Sequence, residues 1–265
     1  MRDTFSVVVT VRNEEQNLPP LLDSLVTQEP PLEVLIIDAD SGDRTREIGK
    51  LYAERFPFVQ VYRKGGTRGA GRNYGVEKSS GGSVAFIDGD CIASPFWIRN
   101  LRQAAAKAEI VAGKTVQIGY RPFEHLERVE LYYRGYDITY PSCNLAYGRE
   151  RFLAIGGFDA WFVTAEDIDL NLRAVDSGAA IAFQPDAIVY HRTRGSYYDF
   201  LKQAFWNGAG RKQLTLKHGR LWSSYRPREL FRRQATTLSG LRLGAALLGY
   251  TGYRMFGRPR PAKRL

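Results

Sequence analysis

The first half of the chain alternates short apolar runs, rich in β-branched residues, with stretches whose apolar residues recur at helical spacing. The apolar runs occupy residues 5–11, 33–38, 58–62 and 84–87. Strands that alternate with helices at this spacing predict βαβ units. The sequence therefore predicts an α/β fold with a mainly parallel sheet flanked by helices.

Beyond residue 95 the pattern is less regular, and several shorter elements are predicted there. Their apolar spacing favours helices at 98–108, 123–138, 149–155 and from 166 onward, and strands at 110–118, 144–147, 180–183 and 187–190. The two last strands close the predicted body of the protein at His191.

Polar side chains follow three of the first four strands, at the point where each strand ends. They are Arg12, Asn13 and Glu14 after the first strand, Asp38 and Asp40 after the second, and Asp88 and Asp90 after the fourth. The carboxyl ends of parallel strands share one edge of a sheet, and ligands of open α/β sheets bind at that edge. We therefore expect these side chains to surround one site.

The segment Asp88-Gly89-Asp90 places two carboxylates one glycine apart, directly after an apolar strand. Such oxygen ligands suit Mg²⁺ or Mn²⁺ carrying a diphosphate, and the glycine permits close approach of the backbone. The alternative is an ordinary acidic turn, since Asp-Gly turns are common after strands.

A glycine-rich segment, residues 65–75, follows the third strand and opens a helix. Its glycines are spaced G-x-G-x-x-x-G, which differs from the G-x-G-x-x-G pattern of dinucleotide-binding turns. Arg68 and Arg72 at the start of this helix favour a phosphate ligand, because both backbone N–H groups and guanidinium groups complement an anion. The alternative is a flexible loop with solvated arginines.

Two further candidates follow later in the chain. Glu166 and Asp167 open a helix, where they either provide a general base facing the site or simply complement the helix dipole. His191 lies at a strand end and is either a metal ligand, a phosphate contact or a structural histidine.

The net charge of +10 is unevenly distributed along the chain. Residues 192–265 carry 17 Lys or Arg and 2 acidic residues, whereas residues 1–191 carry a net charge of −5. This contrast indicates two regions, a body at 1–194 and a basic helical tail at 195–265. Nucleic acid and an anionic membrane surface are the partners that such a tail fits.

Of these two partners, the sequence of the tail favours a membrane surface. Residues 197–216 interleave aromatic and basic side chains, as amphipathic helices at membrane interfaces do. Residues 238–257 are the most apolar part of the chain, but Arg242 and Arg254 leave an uncharged stretch shorter than the ~20 residues of a spanning helix. This segment either spans the membrane, lies in its interface or packs on the body as a soluble helix. No nucleic-acid-binding signature is present, and no nucleic-acid partner is expected.

Six of these segments together resemble the successive motifs of family 2 glycosyltransferases. They lie at residues 8–14, 35–41, 68–73, 88–90, 156–159 and 166–167. The resemblance implies a GT-A fold, which has a Rossmann-like mixed sheet, and inverting transfer of a hexose from a nucleoside-diphosphate sugar. It also implies Mn²⁺ or Mg²⁺ as cofactor.

The resemblance also implies roles for individual residues. Asp167 would be the catalytic base, and Asp90 would bind the metal together with Asp88 and His191. The residues expected to contact substrate are Val11, Arg12, Asn13, Glu14, Asp38, Asp40, Gly69, Arg72, Asp88, Gly89, Glu166 and Trp206. Among them, Asn13, Glu14, Asp38 and Asp40 would line the nucleoside pocket, Arg72 would touch the diphosphate, and Asp88 would serve the ribose or the metal.

One departure from the family bears on the product. Processive members carry a Q-x-x-R-W motif after the body, and here only Gln203 keeps its place. A single transfer is therefore expected, with GDP-mannose as the favoured donor and a lipid-linked acceptor, either polyprenyl or dolichyl phosphate or an oligosaccharide. The expected location is the cell membrane, with the catalytic domain facing the cytosol. The alternatives are a soluble transferase acting on a small molecule or a protein, and a non-catalytic module that binds nucleotide sugars.

Overall fold

The computed structural model describes residues 4–124, 128–193, 195–219 and 237–257. Its strands are β1 (Phe5–Val11), β2 (Leu32–Asp38), β3 (Val59–Arg63), β4 (Ser83–Asp88), β5 (Cys91–Ala93), β6 (Ile110–Ile118), β7 (Tyr132–Tyr133), β8 (Tyr136–Asp137), β9 (Leu145–Gly148) and β10 (Ile181–Arg192). Its helices are α1 (Leu18–Val26), α2 (Thr45–Arg55), α3 (Arg68–Lys78), α4 (Trp97–Ala105), α5 (Arg121–Glu124), α6 (Arg149–Ala154), α7 (Glu166–Asp176), α8 (Tyr197–His218) and α9 (Thr237–Phe256).

The main sheet of the described residues has the strand order β3-β2-β1-β4-β9-β6-β10-β5. Strands β1 to β4 are mutually parallel where they pair, and β10 is parallel to β6. Strand β9 runs antiparallel between β4 and β6, and β5 runs antiparallel to β10. The prediction of a mixed, mainly parallel sheet flanked by helices is confirmed.

Buried residues on the two faces of the sheet form two cores. In β1, Val7 and Val9 pack on one side with the leucines of α1, whereas Val8 packs on the other side, near α3. This alternation follows from the two-residue period of a strand. In the described part of the chain, helices thus cover both faces of the sheet.

The predicted helix at 123–138 is wrong for most of the residues that the structure describes. Residues 123–124 belong to α5, whereas residues 132–137 form a hairpin of β7 and β8. The turn of this hairpin is Arg134-Gly135, with φ of 48° and 86°. Positive φ at both central residues suits a tight hairpin, and the glycine allows it at little cost.

The two strands predicted at 180–183 and 187–190 are one strand, β10. The pairing of β10 with β6 shifts register between Gln184 and Ile188. Pro185 lies in this interval and has no N–H to donate to the ladder, which explains the interruption.

Helices α8 and α9 pack closely on each other and α8 is fixed to the body. The buried carboxylate of Asp169 in α7 accepts from Lys217 Nζ at 2.6 Å and contacts His218 Nε2 at 2.7 Å, both at the end of α8. Lys217 also binds Asp159 at 2.7 Å. These ion pairs hold the first tail helix against the body.

None of the helices in the described ranges is both long and apolar enough to cross a membrane, α9 included.

Candidate active site

The registers of β1, β2 and β4 bring the polar strand ends together. Val11 of β1 lies beside Asp38 of β2, and Thr10 lies beside Asp88 of β4. The loops that follow these strands therefore meet at one edge of the sheet, as the sequence predicted. This edge opens into a cavity of about 3360 Å³.

The predicted site residues divide into two groups at this cavity. Those that line it are Val11, Arg12, Glu14, Asp88, Gly89, Asp90, Glu166, Asp167, His191 and Trp206. Asn13, Asp38, Asp40, Gly69 and Arg72 do not line it. The substrate contacts predicted for this second group remain predictions, and the structure shows what these side chains contact in the protein itself.

Asn13 fixes the loops that follow β1 and β2 against each other. Its amide oxygen accepts from Gly42 N at 2.9 Å, and its own N–H donates to Ser41 Oγ at 3.0 Å. Asn13 and Asp40 both adopt positive φ, of 57° and 56°. Two non-glycine residues in this sparsely populated region indicate loops that tertiary contacts hold in a fixed shape.

The two aspartates after β2 are each paired with an arginine. Asp38 is fully buried and binds Arg46 through Nε and Nη2, both at 2.9 Å. Arg63 donates to Asp40 at 2.5 Å and holds the pKa of that carboxyl below its usual range. Asp38 therefore stabilises the loop from inside, whereas Asp40 stands at the surface.

Arg72 lies beneath the site and joins two of its carboxylates. The side chain is 1% exposed, and it donates to Asp88 Oδ1 at 2.6 Å and to Glu166 Oε1 at 2.7 Å. Its guanidinium also stacks on the ring of Phe158 at 5.3 Å. Burial alone lowers the pKa of Arg72, but the two carboxylates outweigh it and the pKa is raised. The neighbouring Asn73 binds both the N–H and the carbonyl of Phe158 at 2.8 Å.

Asp167 is held at the start of α7 with a raised pKa. Its carboxylate accepts from Ile168 N at 2.9 Å and from Ser142 N at 3.3 Å. Burial, and then the charge of Glu166, raise the pKa of Asp167 to about 6. The preceding residue, Ala165, has a φ of 66°. A carboxylate with a pKa near neutrality, facing a cavity, is equipped to accept a proton from a hydroxyl group.

Asp90, Cys91 and His191 form a cluster suited to a metal ion. Antiparallel pairing places His191 of β10 opposite Cys91 of β5. Each of the three residues offers one ligand atom, and these atoms lie within 4.8 Å of one another. Carboxylate and imidazole groups bind divalent transition metals, so Asp90 and His191 fit the predicted ion. Cys91 was not predicted, although its position next to Asp90 in the sequence was a signal.

His191 is well placed to neutralise Asp90 when no ion is bound. Its Nε2 lies 3.3 Å from Asp90 Oδ1, and its Nδ1 lies 3.2 Å from Gln117 Oε1. Burial lowers the pKa of His191, but the hydrogen bond to Asp90 and the nearby negative charges raise it to about 9. A metal ion held by His191 and Asp90 would take the place of the imidazole proton, because a ligating histidine must be neutral.

Trp206 lies on α8 and lines the cavity. Its indole is partly exposed, and its carbonyl accepts from Thr164 Oγ1 at 2.9 Å. Thr164 lies three residues before Asp167, so α8 stands directly beside the candidate base. Arg211 and Arg242 also line the cavity, from α8 and α9. No motif in the sequence indicated these two residues, because the approach of two separate helices brings them there.

Comparisons with known proteins confirm the expected GT-A fold and match the chain to glycosyltransferases. The model of glycosyl transferase family 2 matches residues 6–158. The chain is 27% identical to glycosyltransferase AglE of Haloferax volcanii over 79% of its own length and 73% of the relative. It is 25% identical to the pre-mycofactocin glycosyltransferase of Mycobacterium tuberculosis, of which it spans 48%.

Solved structures share the fold. Mannosyltransferase PcManGT of Pyrobaculum calidifontis, in complex with GDP-Man and Mn²⁺, matches 98% of this chain and 77% of its own with a TM-score of 0.62 and 18% identity. TarS of S. aureus, in complex with UDP, matches 78% of this chain and 65% of its own with a TM-score of 0.62 and 21% identity.

Proposed function

The chain belongs to glycosyltransferase family 2, and on this premise we propose that it transfers a hexose with inversion from a nucleoside-diphosphate sugar to a lipid-linked acceptor. The observation that carries the proposal is the cavity shared by Asp88-Gly89-Asp90 and Asp167. Acidic residues suited to hold a metal-bound diphosphate and a carboxylate suited to act as a base line the same space. A displacement at an anomeric carbon needs these two functions, stabilisation of the leaving diphosphate and removal of a proton from the attacking hydroxyl group.

The proposed reaction is a single displacement. Asp167 accepts the proton of an acceptor hydroxyl while the hydroxyl oxygen forms a bond to the anomeric carbon. The bond between that carbon and the β-phosphate oxygen breaks, and the nucleoside diphosphate departs with the bonding electrons. The raised pKa of Asp167 suits this role, because the carboxylate is ionised near neutral pH and is still basic enough to share the proton.

Asp90 and His191 would hold a divalent cation, with Asp88 close by. Bound there, the cation would neutralise the charge that develops on the diphosphate. An imidazole ligand favours Mn²⁺ over Mg²⁺, which prefers oxygen ligands. The Mn²⁺ complex of the mannosyltransferase PcManGT supports the same choice.

The proposal extends to the sugar of the donor and to the acceptor. Mannose is favoured as the sugar, and the GDP-Man complex of PcManGT supports it. Association with the cytosolic face of the membrane is supported by an apolar stripe on α9, where the exposed Leu241, Leu248 and Met255 recur every two helical turns. The basic residues of the tail would then face anionic headgroups.

The test is transfer by the purified full chain from GDP-mannose and UDP-sugars, with Mn²⁺, to prenyl-linked acceptors. We expect Asp167→Asn to lower kcat by about 10²- to 10⁴-fold, the range for loss of a general base. Donor affinity, measured by thermal shift, should stay unchanged. In the unaltered chain kcat/KM should rise with pH through about 6, because Asp167 acts only when ionised.

The matched control is Asp199→Asn, which makes the same change at another carboxylate lining the cavity. Comparable turnover by the Asp167 variant would exclude it as the base. If no donor supports transfer or hydrolysis although one binds, the chain is a nucleotide-sugar-binding module and not an enzyme.

A further inference from the structure

Two arginines from different helices meet in the wall of the cavity. Arg211 of α8 and Arg242 of α9 both line it, together with Lys202 of α8. Arg211 and Arg242 are half-buried, and the contacts of Gly208 with Ala246 and of Gly249 with Phe205 place the two arginines at neighbouring positions of the helix pair. Burial, and then the positive charge of Arg211, lower the pKa of Arg242. Like charges held together at the wall of a cavity are the arrangement that binds an anion.

The crossing of the two helices maintains this proximity. A Cβ at Gly208 would overlap the backbone of Ala246, and a Cβ at Gly249 would overlap the backbone of Phe205. Glycine at both positions therefore lets the helix backbones touch. Arg211 lies three residues after Gly208 and Arg242 lies four residues before Ala246, so each arginine is one turn from the crossing.

The stretch of α8 that leads to Arg211 contacts the loop before Asp167. Thr164 donates to the carbonyl of Trp206, and Gly210 packs against the backbone of Thr164. This contact sets the face of α8 that carries Arg211 beside the loop leading to Asp167. Arg211 is five residues beyond Trp206, which is roughly 7 Å along the helix. An acceptor that reaches Asp167 along α8 passes these arginines.

We propose that Arg211 and Arg242 bind a phosphate or diphosphate group of the acceptor, and that the accepting group is a sugar hydroxyl attached to it. The proposal rests on the proposed function and narrows it. A bare polyprenyl phosphate would present a phosphate oxygen as nucleophile, and this oxygen carries no proton for Asp167 to remove. With the phosphate held by the arginines, a sugar between the phosphate and Asp167 presents a hydroxyl to the base.

In the resulting step the hydroxyl proton passes to Asp167 and the hydroxyl oxygen bonds to the anomeric carbon. The nucleoside diphosphate leaves, and the phosphate held by the arginines is unchanged. Arg211 and Arg242 are thus binding residues for the acceptor and take no part in bond making.

The experiment uses the full chain and three short-chain, water-soluble acceptors: a prenyl diphosphate carrying one sugar, the matching neutral prenyl glycoside, and the prenyl monophosphate. We expect Arg211→Gln and Arg242→Gln each to raise the KM for the sugar-bearing diphosphate about 10-fold, as expected for loss of one charge-assisted contact. The KM for the neutral glycoside and donor hydrolysis without acceptor should not change. The prenyl monophosphate should bind but accept no sugar.

The control is Arg254→Gln, which removes a charge from an exposed position of α9 away from the cavity. Two further measurements separate the sources of the phosphate. Competition by inorganic phosphate reports a site for the free anion, and sedimentation with anionic vesicles reports general attraction to headgroups. We expect the Arg211 and Arg242 variants to lose binding of the acceptor, measured by calorimetry, and to retain vesicle binding.

The possible failures are distinguishable. Transfer with an unchanged KM in both arginine variants overturns this inference and leaves the proposed function intact. If the KM for the neutral glycoside rises as much as the KM for the sugar-bearing diphosphate, the arginines shape the wall of the cavity and do not bind the phosphate. If the chain transfers no sugar, the proposed function fails, and calorimetry with the sugar-bearing diphosphate still decides whether the arginines bind it.

Discussion

Arginine occupies two contrasting settings in this protein. In the body, Arg72 of α3 is buried between the carboxylates of Asp88 and Glu166. In the helical pair of α8 and α9, Arg211 faces Arg242, and both line the cavity. In the first setting, carboxylates inside the protein neutralise the charge of the arginine. In the second setting, the two arginines line the cavity.

One cavity is therefore lined by both acidic and basic side chains. Arg72 allows acidic side chains to collect at the sheet edge, where a cation-bound diphosphate is expected. The helical pair adds positive charge to the same cavity, where we propose that the phosphate of the acceptor binds. Changes to the body should therefore damage the acidic site, whereas changes to the helical pair should affect the acceptor alone.

The largest effect is expected from Arg72→Met. The substitution leaves two largely buried carboxylates without their cation, and breaking a buried ion pair in this way costs about 3–5 kcal/mol. Activity should fall as well, because Asp88 and Glu166 lose their fixed positions. The measurement is chemical denaturation together with transfer activity.

Arg68→Met is the control for this variant, since Arg68 begins the same helix, is exposed and lines the cavity. It should change stability by less than about 0.5 kcal/mol. If Arg72→Met keeps its stability and only donor affinity falls, the predicted diphosphate contact of Arg72 is correct and its structural role is minor.

A smaller effect is expected from Gly249→Val, which acts on the helical pair. The new side chain must displace the backbone of Phe205, and overpacking of this kind costs about 1–3 kcal/mol. Separating α8 from α9 also moves Arg242 away from Arg211. The KM for a phosphate-bearing acceptor should rise about 10-fold, while donor hydrolysis stays unchanged.

Gly244→Val is the matched control, because a Cβ at this position of the same helix meets no atom within 4 Å. Both variants lose a helical glycine, so their difference isolates the crossing. Loss of donor hydrolysis in Gly249→Val would show that the helical pair also supports the acidic site, and the contrast between the two regions would not hold.

The body was largely predictable because its signals are local. Strand and helix periods, together with acidic residues after strands, identified the sheet edge and the acidic residues that line the cavity there. The register of Thr10 beside Asp88 follows from parallel pairing of the apolar runs. The hairpin at residues 132–137 was missed, because its aromatic residues also fit a helix and only Arg134-Gly135 indicated a turn.

Contacts between distant residues could not be read in this way. Arg72 was expected to face a diphosphate, yet it contacts Glu166, which lies 94 residues away. The pairing of Cys91 with His191 requires β5 to lie beside β10 at the sheet edge, which no local pattern indicates. The meeting of Arg211 and Arg242 likewise depends on two helices that cross at glycines.

The smallest effect concerns the outer face of the helical pair, away from both arginine settings. Leu248 is 68% exposed in the stripe that also contains Leu241 and Met255. If this stripe enters a membrane interface, Leu248→Glu should weaken binding to anionic vesicles about 10-fold, because a buried leucine contributes roughly 1.5–3 kcal/mol. Leu51→Glu is the control, since Leu51 is 55% exposed on α2 in the body. Transfer to a water-soluble acceptor should be the same in both variants, because neither residue lines the cavity. Equal vesicle binding by the two variants would show that another surface contacts the membrane, and a loss of transfer in the Leu248 variant would show that the outer face of α9 also supports the position of Arg242.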